Sequence, residues 1–165
     1  MATFQELYET LLKASIQRGK AGKDAVDHLD YDPHHLDCLL HPEKHPVIWQ
    51  LADCDCPKDA PCIASCEFGA ISRQQGVPRV AIDLTRCVGC AACAESCKSG
   101  KLTASKDMFP ALEAVRNAKG LVYALIAPAF QGQFSSGVTP GMLRSAFLKL
   151  GFDGMLEVAL CADIL

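Results

Sequence analysis

The sequence has no long hydrophobic run. Its longest apolar stretch, Leu121 to Phe130, covers ten residues and contains Pro128, whereas a membrane-spanning helix needs about 20 apolar residues. It has no basic run either, and its net charge is −3, which argues against nucleic acid as the main partner. We therefore expect a soluble, cytoplasmic protein that partners neither a membrane nor nucleic acid.

A secretory signal is also missing. Met1 to Glu6 show no cationic segment followed by an apolar one, and a secreted disulfide scaffold is therefore disfavoured. The chain has 165 residues, of which 50% are hydrophobic and 21% are charged, a composition typical of a globular protein. Its ten cysteines are accordingly expected to stay reduced.

Four of these cysteines form a C-x2-C-x2-C-x3-C run, at Cys87, Cys90, Cys93 and Cys97. In bacterial ferredoxins this spacing binds [4Fe-4S] clusters, and the fourth cysteine binds a different cluster from the first three. Structural zinc is the weaker alternative, because zinc sites pair two cysteines with two distant ligands. The run therefore predicts an iron–sulfur site and requires a second cysteine-rich segment.

That segment lies upstream with the spacing C-x-C-x5-C-x3-C, at Cys54, Cys56, Cys62 and Cys66. Both segments continue after their last cysteine with two residues, a glycine and a β-prone stretch, which indicates an internal repeat. Exchange of the fourth ligands, as in two-cluster ferredoxins, predicts two [4Fe-4S] clusters. The first would bind Cys54, Cys56, Cys62 and Cys97, and the second Cys66, Cys87, Cys90 and Cys93. The C-x-C spacing at Cys54 departs from the usual pattern.

Residues 3 to 18 predict an amphipathic helix, with Thr3 and Glu6 as a capping box. Its apolar face repeats at helical spacing and comprises Phe4, Leu7, Tyr8, Leu11, Leu12 and Ile16. We expect this face to pack against the rest of the chain, with a partner subunit as the alternative.

Residues 20 to 50 are expected to be irregular, because Asp32-Pro33 and two His-Pro pairs interrupt regular structure. All five histidines fall there: His28, His34, His35, His41 and His45. One interpretation of His34-x3-Cys38 is an additional His-ligated iron–sulfur cluster, and another is a mononuclear metal on the histidines. The simplest is surface histidines with a buried Cys38.

The predicted fold class is α+β, with three parts. Residues 1–50 hold the N-terminal helix and the histidine-rich segment. Residues 51–106 form a bacterial-type 2[4Fe-4S] ferredoxin module, in which Ala70 to Ser72 and Arg79 to Ile82 pair as a hairpin across Gln74-Gln75-Gly76. Residues 107–165 begin an α/β unit.

In this last part the pattern predicts a parallel βαβ unit. We expect a helix from Phe109 to Ala118, then a strand from Leu121 to Ala127 that is buried on both faces. A second helix begins at Thr139-Pro140 and ends at Gly151, and a second strand runs from Met155 to Leu160. Such a unit leaves a sheet face and edge uncovered, so we expect a fragment of a larger domain, with Cys161 as a small buried residue.

The order of these parts and the motifs at 125–129, 141–153 and Ala162-Asp163 resemble the [FeFe]-hydrogenases, the iron-only hydrogenase large subunit family. The resemblance covers roughly residues 50 to 165. It implies an electron-input region followed by the opening of a catalytic domain, with the loop from Pro128 to Val138 directed towards the active-site cavity. The T-S-C-C-P-type motif that holds the H-cluster in that family is absent from this sequence, so only cluster ligands transfer and no catalytic residue is assigned.

Two functions follow as expectations. In the first, the chain relays single electrons between an external ferredoxin- or flavodoxin-like carrier and the remainder of a hydrogenase catalytic domain. In the second, it is a stand-alone electron carrier or regulatory iron–sulfur protein that binds a partner through its βαβ half. The DNA after codon 165 distinguishes them, since an open frame encoding T-S-C-C-P favours the first and a stop codon favours the second.

Overall fold

A computed structural model describes residues 1–18, 23–57, 59–73 and 75–160. These residues form helices and small sheets, in agreement with the predicted α+β class. The chain divides into two compact units, Met1–Phe109 and Pro110–Leu165. Within the described ranges, no helix has the length and apolar character needed to cross a membrane. Gln74 of the predicted turn, Cys161 and Ala162-Asp163 lie outside these ranges.

Helix α1 spans Phe4–Arg18 and begins with the predicted capping box. Thr3 N donates to Glu6 Oε2 at 2.8 Å, and Glu6 N donates to Thr3 Oγ1 at 3.2 Å. The apolar face packs against the chain itself, as expected, in a core of Phe4, Leu7, Leu11, Val26, Leu36, Cys38, Leu39, Trp49 and Phe109.

The expectation for Ile16 is wrong, because its side chain is 52% exposed whereas that of Ser15 is buried. At 3.6 residues per turn, Ile16 lies about 120° around the helix axis from Phe4, but Ser15 lies only about 20° from it. The polar residue therefore continues the buried stripe.

The segment expected to be irregular contains regular structure, so that prediction is wrong for its described part. Helix α2 spans Pro33–Leu40, and 3₁₀ turns span Lys23–Ala25 and Pro42–Lys44. Pro33 occupies the first helical position, where its missing N–H costs nothing, and Asp32 caps the helix by accepting from His34 N at 2.9 Å. His35 is buried instead of lying at the surface.

Two antiparallel strand pairs flank the cysteine segments. Strands β2 (Ile71–Arg73) and β3 (Val80–Ile82) form the predicted hairpin, with Ile71 opposite Ile82. Strand β1 (Ile48–Gln50) pairs with β4 (Leu102–Ala104), a pairing that the sequence did not predict. Helices α3 (Pro61–Ala64) and α4 (Ala92–Glu95) carry one cysteine each. These elements enclose a second core of Ile48, Ala60, Cys62, Ile71, Cys93 and Leu102.

The second unit contains the predicted parallel strand pair, β5 (Tyr123–Ile126) and β6 (Gly154–Glu157). The second strand is shorter than predicted, because residues 158–160 are helical. Most of α5 (Met108–Asn117) also lies in this unit, and α7 spans Pro140–Leu150. As predicted, Thr139 caps α7 by accepting from Met142 N, and Gly151 ends it with a φ of 106°. A short helix, α6 (Pro128–Gln131), occupies the start of the predicted loop.

Strand β5 is buried on one face only, so the prediction of burial on both faces is wrong for the described residues. Ala124 and Ile126 pack with Leu143 and Met155 in a third core. The alternate residues point away from this core, and Leu125 is 66% exposed.

Candidate metal centres

The two cysteine segments fold into the same local structure. In each, a four-residue helix carries a cysteine, Cys62 on α3 and Cys93 on α4. Another cysteine, Cys66 or Cys97, follows that helix, and the third residue after it is a glycine with a positive φ of 56° or 64°. The same backbone bond closes both turns, from the glycine N–H to the carbonyl oxygen of the preceding cysteine, at 3.0 and 2.9 Å. The internal repeat predicted from the sequence is present.

The cysteines predicted to bind the second cluster line one cavity: Cys66, Cys87, Cys90 and Cys93. Burial raises the pKa of the Cys93 thiol, and the charges of Cys66 and Cys87 act in the same direction. Cys66 belongs to the upstream segment, so a residue of one segment lies beside two residues of the other.

The first predicted group shows the reverse exchange. Burial raises the pKa of the Cys62 thiol, and the charges of Cys97 and Cys54 add to this effect. Cys97 comes from the downstream segment, so it lies near a cysteine of the upstream one. Both Cys62 and Cys93 belong to one core, against which Cys56, Cys66, Cys87 and Cys97 pack.

Hydrogen-bond donors surround the sulfurs of the two exchanged cysteines. Ala70 N–H donates to Cys66 Sγ at 3.3 Å. This bond and the other N–H groups of residues 68–71 lower the pKa of the Cys66 thiol, although burial acts to raise it. Burial alone would raise the pKa of Cys97, but the Ser99 hydroxyl and the N–H groups of residues 99, 101 and 102 outweigh it, and the pKa is lowered. Both sites favour the thiolate, which is the metal-binding form.

The turn between Cys87 and Cys93 contains two residues in the left-handed region. Gly89 has a φ of 69°, and Ala91 has a φ of 63°. For an alanine this conformation costs about 1–2 kcal/mol. The Ala91 carbonyl accepts from Ala94 N and Glu95 N at 2.9 and 3.1 Å, so this strained residue starts the helix that positions Cys93.

Sequence spacing did not reveal the partners of Cys54. Arg73 Nη1 donates to Cys54 Sγ at 2.9 Å, and Nη2 donates to the Cys54 carbonyl. Gln50 Nε2 lies 4.0 Å from the same sulfur. Arg73 lies on β2, 19 positions along the chain from Cys54, so only the fold brings this cation to the thiol.

The histidines fall into two groups, three that lie outside the cluster at Cys38 and two that lie in it. His28 and His41 are exposed, whereas the buried ring of His35 donates from Nε2 to the Leu51 carbonyl at 2.8 Å. His34 and His45 lie with Cys38, and one ligand atom from each lies within 4.8 Å of the others. This second group has the donor types of a metal site.

Cys38 itself is buried, as the sequence predicts. Burial, followed by the charges of Asp37 and Asp32, raises the pKa of its thiol to about 11. The free thiol is therefore protonated at neutral pH.

The βαβ segment decides the family comparison. Residues 120–165 match the family model described as the iron only hydrogenase large subunit, C-terminal domain. The resemblance to this family inferred from the motifs is thereby confirmed for residues 120–165, and it lies in the C-terminal domain of these hydrogenases. A search of curated proteins finds no match to the chain. The iron-only hydrogenase match indicates an oxidoreductase-like role and, with the ten cysteines, iron–sulfur binding.

Proposed function

We propose that the chain is the electron-input portion of a hydrogenase-like oxidoreductase, with two [4Fe-4S] clusters bound by a ferredoxin-type module at residues 51–106. One set of ligands is Cys54, Cys56, Cys62 and Cys97, and the other is Cys66, Cys87, Cys90 and Cys93. The redox partners would be an external ferredoxin- or flavodoxin-like carrier and the remainder of a hydrogenase catalytic domain.

One observation carries this proposal. Cys66 of the upstream segment lines one cavity with Cys87, Cys90 and Cys93 of the downstream segment. In the other direction, Cys97 lies close enough to Cys62 for its charge to act on the pKa of that thiol. A single-cluster site or a zinc ribbon gives no reason for two segments to exchange their last cysteines, whereas a two-cluster ferredoxin requires it.

The local chemistry fits the group. A [4Fe-4S] cluster supplies one-electron transfer at a potential that depends on hydrogen bonds to sulfur, net charge and solvent exposure. Here the backbone N–H groups after Cys66 and Cys97 donate to sulfur, and the apolar core around Cys62 and Cys93 excludes water. Arg73 places a positive charge at Cys54.

The second group of cysteines is nearer to solvent than the first. Cys90 is exposed, and two apolar side chains of the same cavity are also exposed, Val88 at 60% and Phe68 at 46%. An apolar patch beside an exposed ligand suits the brief docking of a small carrier protein. We assign electron exchange with the carrier to this side.

The test is the metal content of the anaerobically reconstituted chain. We expect about eight iron and eight acid-labile sulfide per chain, with bleaching near 400 nm upon addition of dithionite. About four iron, with the cluster on Cys87, Cys90 and Cys93 intact, would contradict the upstream site. Because the chain lacks the T-S-C-C-P motif, we expect no hydrogen evolution after H-cluster maturation, and measurable evolution would overturn a role in electron input alone.

The open face of β5 also suits the second candidate function, a carrier or regulatory protein that binds a partner through its βαβ half instead of the rest of a catalytic domain. Tyr123 and Leu125 on this face are 46% and 66% exposed, and Leu121 just before the strand is 74% exposed. Light scattering during gel filtration should show association that Leu125→Ser reduces. A monodisperse monomer that binds no carrier would contradict this use of the face.

A further inference from the structure

The fold brings three potential metal ligands together outside the eight cluster cysteines. Helix α2 places His34 and Cys38 one turn apart on the same face. The 3₁₀ turn at Pro42–Lys44 then reverses the chain and returns His45 to that face, where its ring packs edge-on against that of His34 with centroids 5.4 Å apart. Ligand atoms of all three residues lie within 4.8 Å of one another.

Two of these ligand atoms already have the spacing of a bound metal. His34 Nε2 lies 3.6 Å from Cys38 Sγ. A tetrahedral ion bound to nitrogen at about 2.0–2.1 Å and to sulfur at about 2.3 Å separates those two atoms by about 3.6 Å. Closure of the site around an ion therefore needs little movement of helix α2.

A carboxylate orients the third ligand. His45 Nε2 donates to Asp37 Oδ2 at 2.8 Å, which leaves the lone pair of the neutral ring on Nδ1. Metal-binding histidines commonly donate their other N–H to a carboxylate, which fixes the ring and makes it more basic. Asp37 is therefore a positioning residue and not a ligand in this arrangement.

The surroundings favour a single ion over an iron–sulfur cluster. The group contains one thiol, that of the fully buried Cys38, and one thiolate with two imidazoles suits zinc-class ions. The adjoining cavity is also lined by Trp49, whose buried indole N–H has no hydrogen-bond partner among the described residues. A metal-bound water in this cavity would supply that donor with an acceptor.

We propose that His34, Cys38 and His45 bind one zinc-class divalent ion, with water in the fourth position. The ion joins helix α2 to the segment that leads into β1. The site exists only in the folded chain, so the free energy of metal binding stabilises the folded connection between helix α2 and this segment.

Zinc addition to the cluster-loaded chain tests the proposal, because the clusters occupy eight of the other nine cysteines. After removal of free metal we expect about one zinc per chain, and zinc-edge X-ray absorption should give one sulfur at about 2.3 Å and two nitrogens at about 2.0–2.1 Å. His34→Gln and Cys38→Ser should each reduce zinc affinity at least tenfold. Asp37→Asn should weaken binding about tenfold with the same three protein ligands.

His41→Gln is the matched control, because His41 lies in the same segment but is exposed and outside the group. His41→Gln should keep the zinc. The iron content of every variant should equal that of the unaltered chain, and this equality shows that each variant folds. Zinc bound by two or more sulfurs, or zinc retained by His34→Gln, would overturn the proposal. Additional iron that disappears in Cys38→Ser would overturn it in favour of a cluster.

Discussion

Replacement of Arg73 by glutamine should lower the reduction potential of one cluster and leave the other unchanged. Arg73 Nη1 lies 2.9 Å from Cys54 Sγ. Reduction adds negative charge to a cluster, and a neighbouring cation stabilises that charge. Removal of the cation therefore makes the potential more negative, provided that Cys54 is a ligand.

The size of the shift follows from Coulomb's law. Two unit charges at the observed 2.9 Å interact by about 6 kcal/mol at an effective dielectric constant of about 20. The guanidinium charge is shared by three nitrogens, the added electron spreads over the cluster, and the half-buried side chain is partly screened by water. About a quarter of that energy, roughly 1–2 kcal/mol, corresponds to a shift of about 40–90 mV for a one-electron couple.

Redox titration monitored by EPR measures both clusters in one sample. Arg79→Gln is the matched control. Arg79 is exposed, directly precedes β3 of the same hairpin, and pairs through Nε with Asp53 at 3.1 Å instead of with a cysteine. We expect that variant to leave both potentials unchanged, and Arg73→Lys, which retains the charge, to recover part of the shift. If Arg73→Gln moves neither potential, or moves that of the cluster perturbed by Cys90→Ser, Cys54 does not bind the first cluster.

Three further predictions concern the ligand exchange, the core and a helix cap. Cys66→Ser and Cys90→Ser should displace the same EPR signal, and displacement of different signals would contradict the exchange of ligands. Leu11→Ala removes a fully buried side chain and should lower the free energy of unfolding in urea by about 3 kcal/mol. The control Ile16→Ala, at an exposed position, should lower it by less than about 0.5 kcal/mol. Equal losses would refute the packing of α1. Thr139→Ala should cost about 1 kcal/mol by the same measurement because the cap to Met142 N is lost, and an unchanged midpoint would argue against that cap.

Sequence reasoning succeeded where local chemistry decides the structure. The capping box of α1, the termini of α7 and the β2–β3 hairpin each depend on residues close together in the chain. The parallel β5–β6 pair was also predicted, since a helix of suitable length separates two apolar runs. The cysteine repeat was visible because a glycine follows the last cysteine of each segment by three positions, at Gly69 and Gly100.

The failures have different physical causes. Asp32-Pro33 was interpreted as a break, although proline at the first helical position with a capping aspartate starts a helix equally well. The apolar run at 121–127 predicted burial on both faces, and this prediction was wrong. Composition gives no information about how many layers pack against a strand. The Arg73–Cys54 contact and the His34–Cys38–His45 group depend on tertiary returns of the chain, and neither spacing matches a known template.

The β1–β4 pairing has a consequence for how the cysteine-rich region can be isolated. Strand β1 ends at Gln50, before the upstream cysteine segment begins at Cys54, yet it pairs with β4, which follows the end of the downstream segment at Cys97. Its Ile48 enters the core around the cysteines, while the adjacent Trp49 enters the core beneath α1. A chain cut at residue 51 would expose β4 as an unpaired edge strand and remove an apolar wall from the cysteine core. The N-terminal helices and the metal-binding segments should therefore unfold as one cooperative block, and protection from amide exchange should be lost in β4 and α1 together.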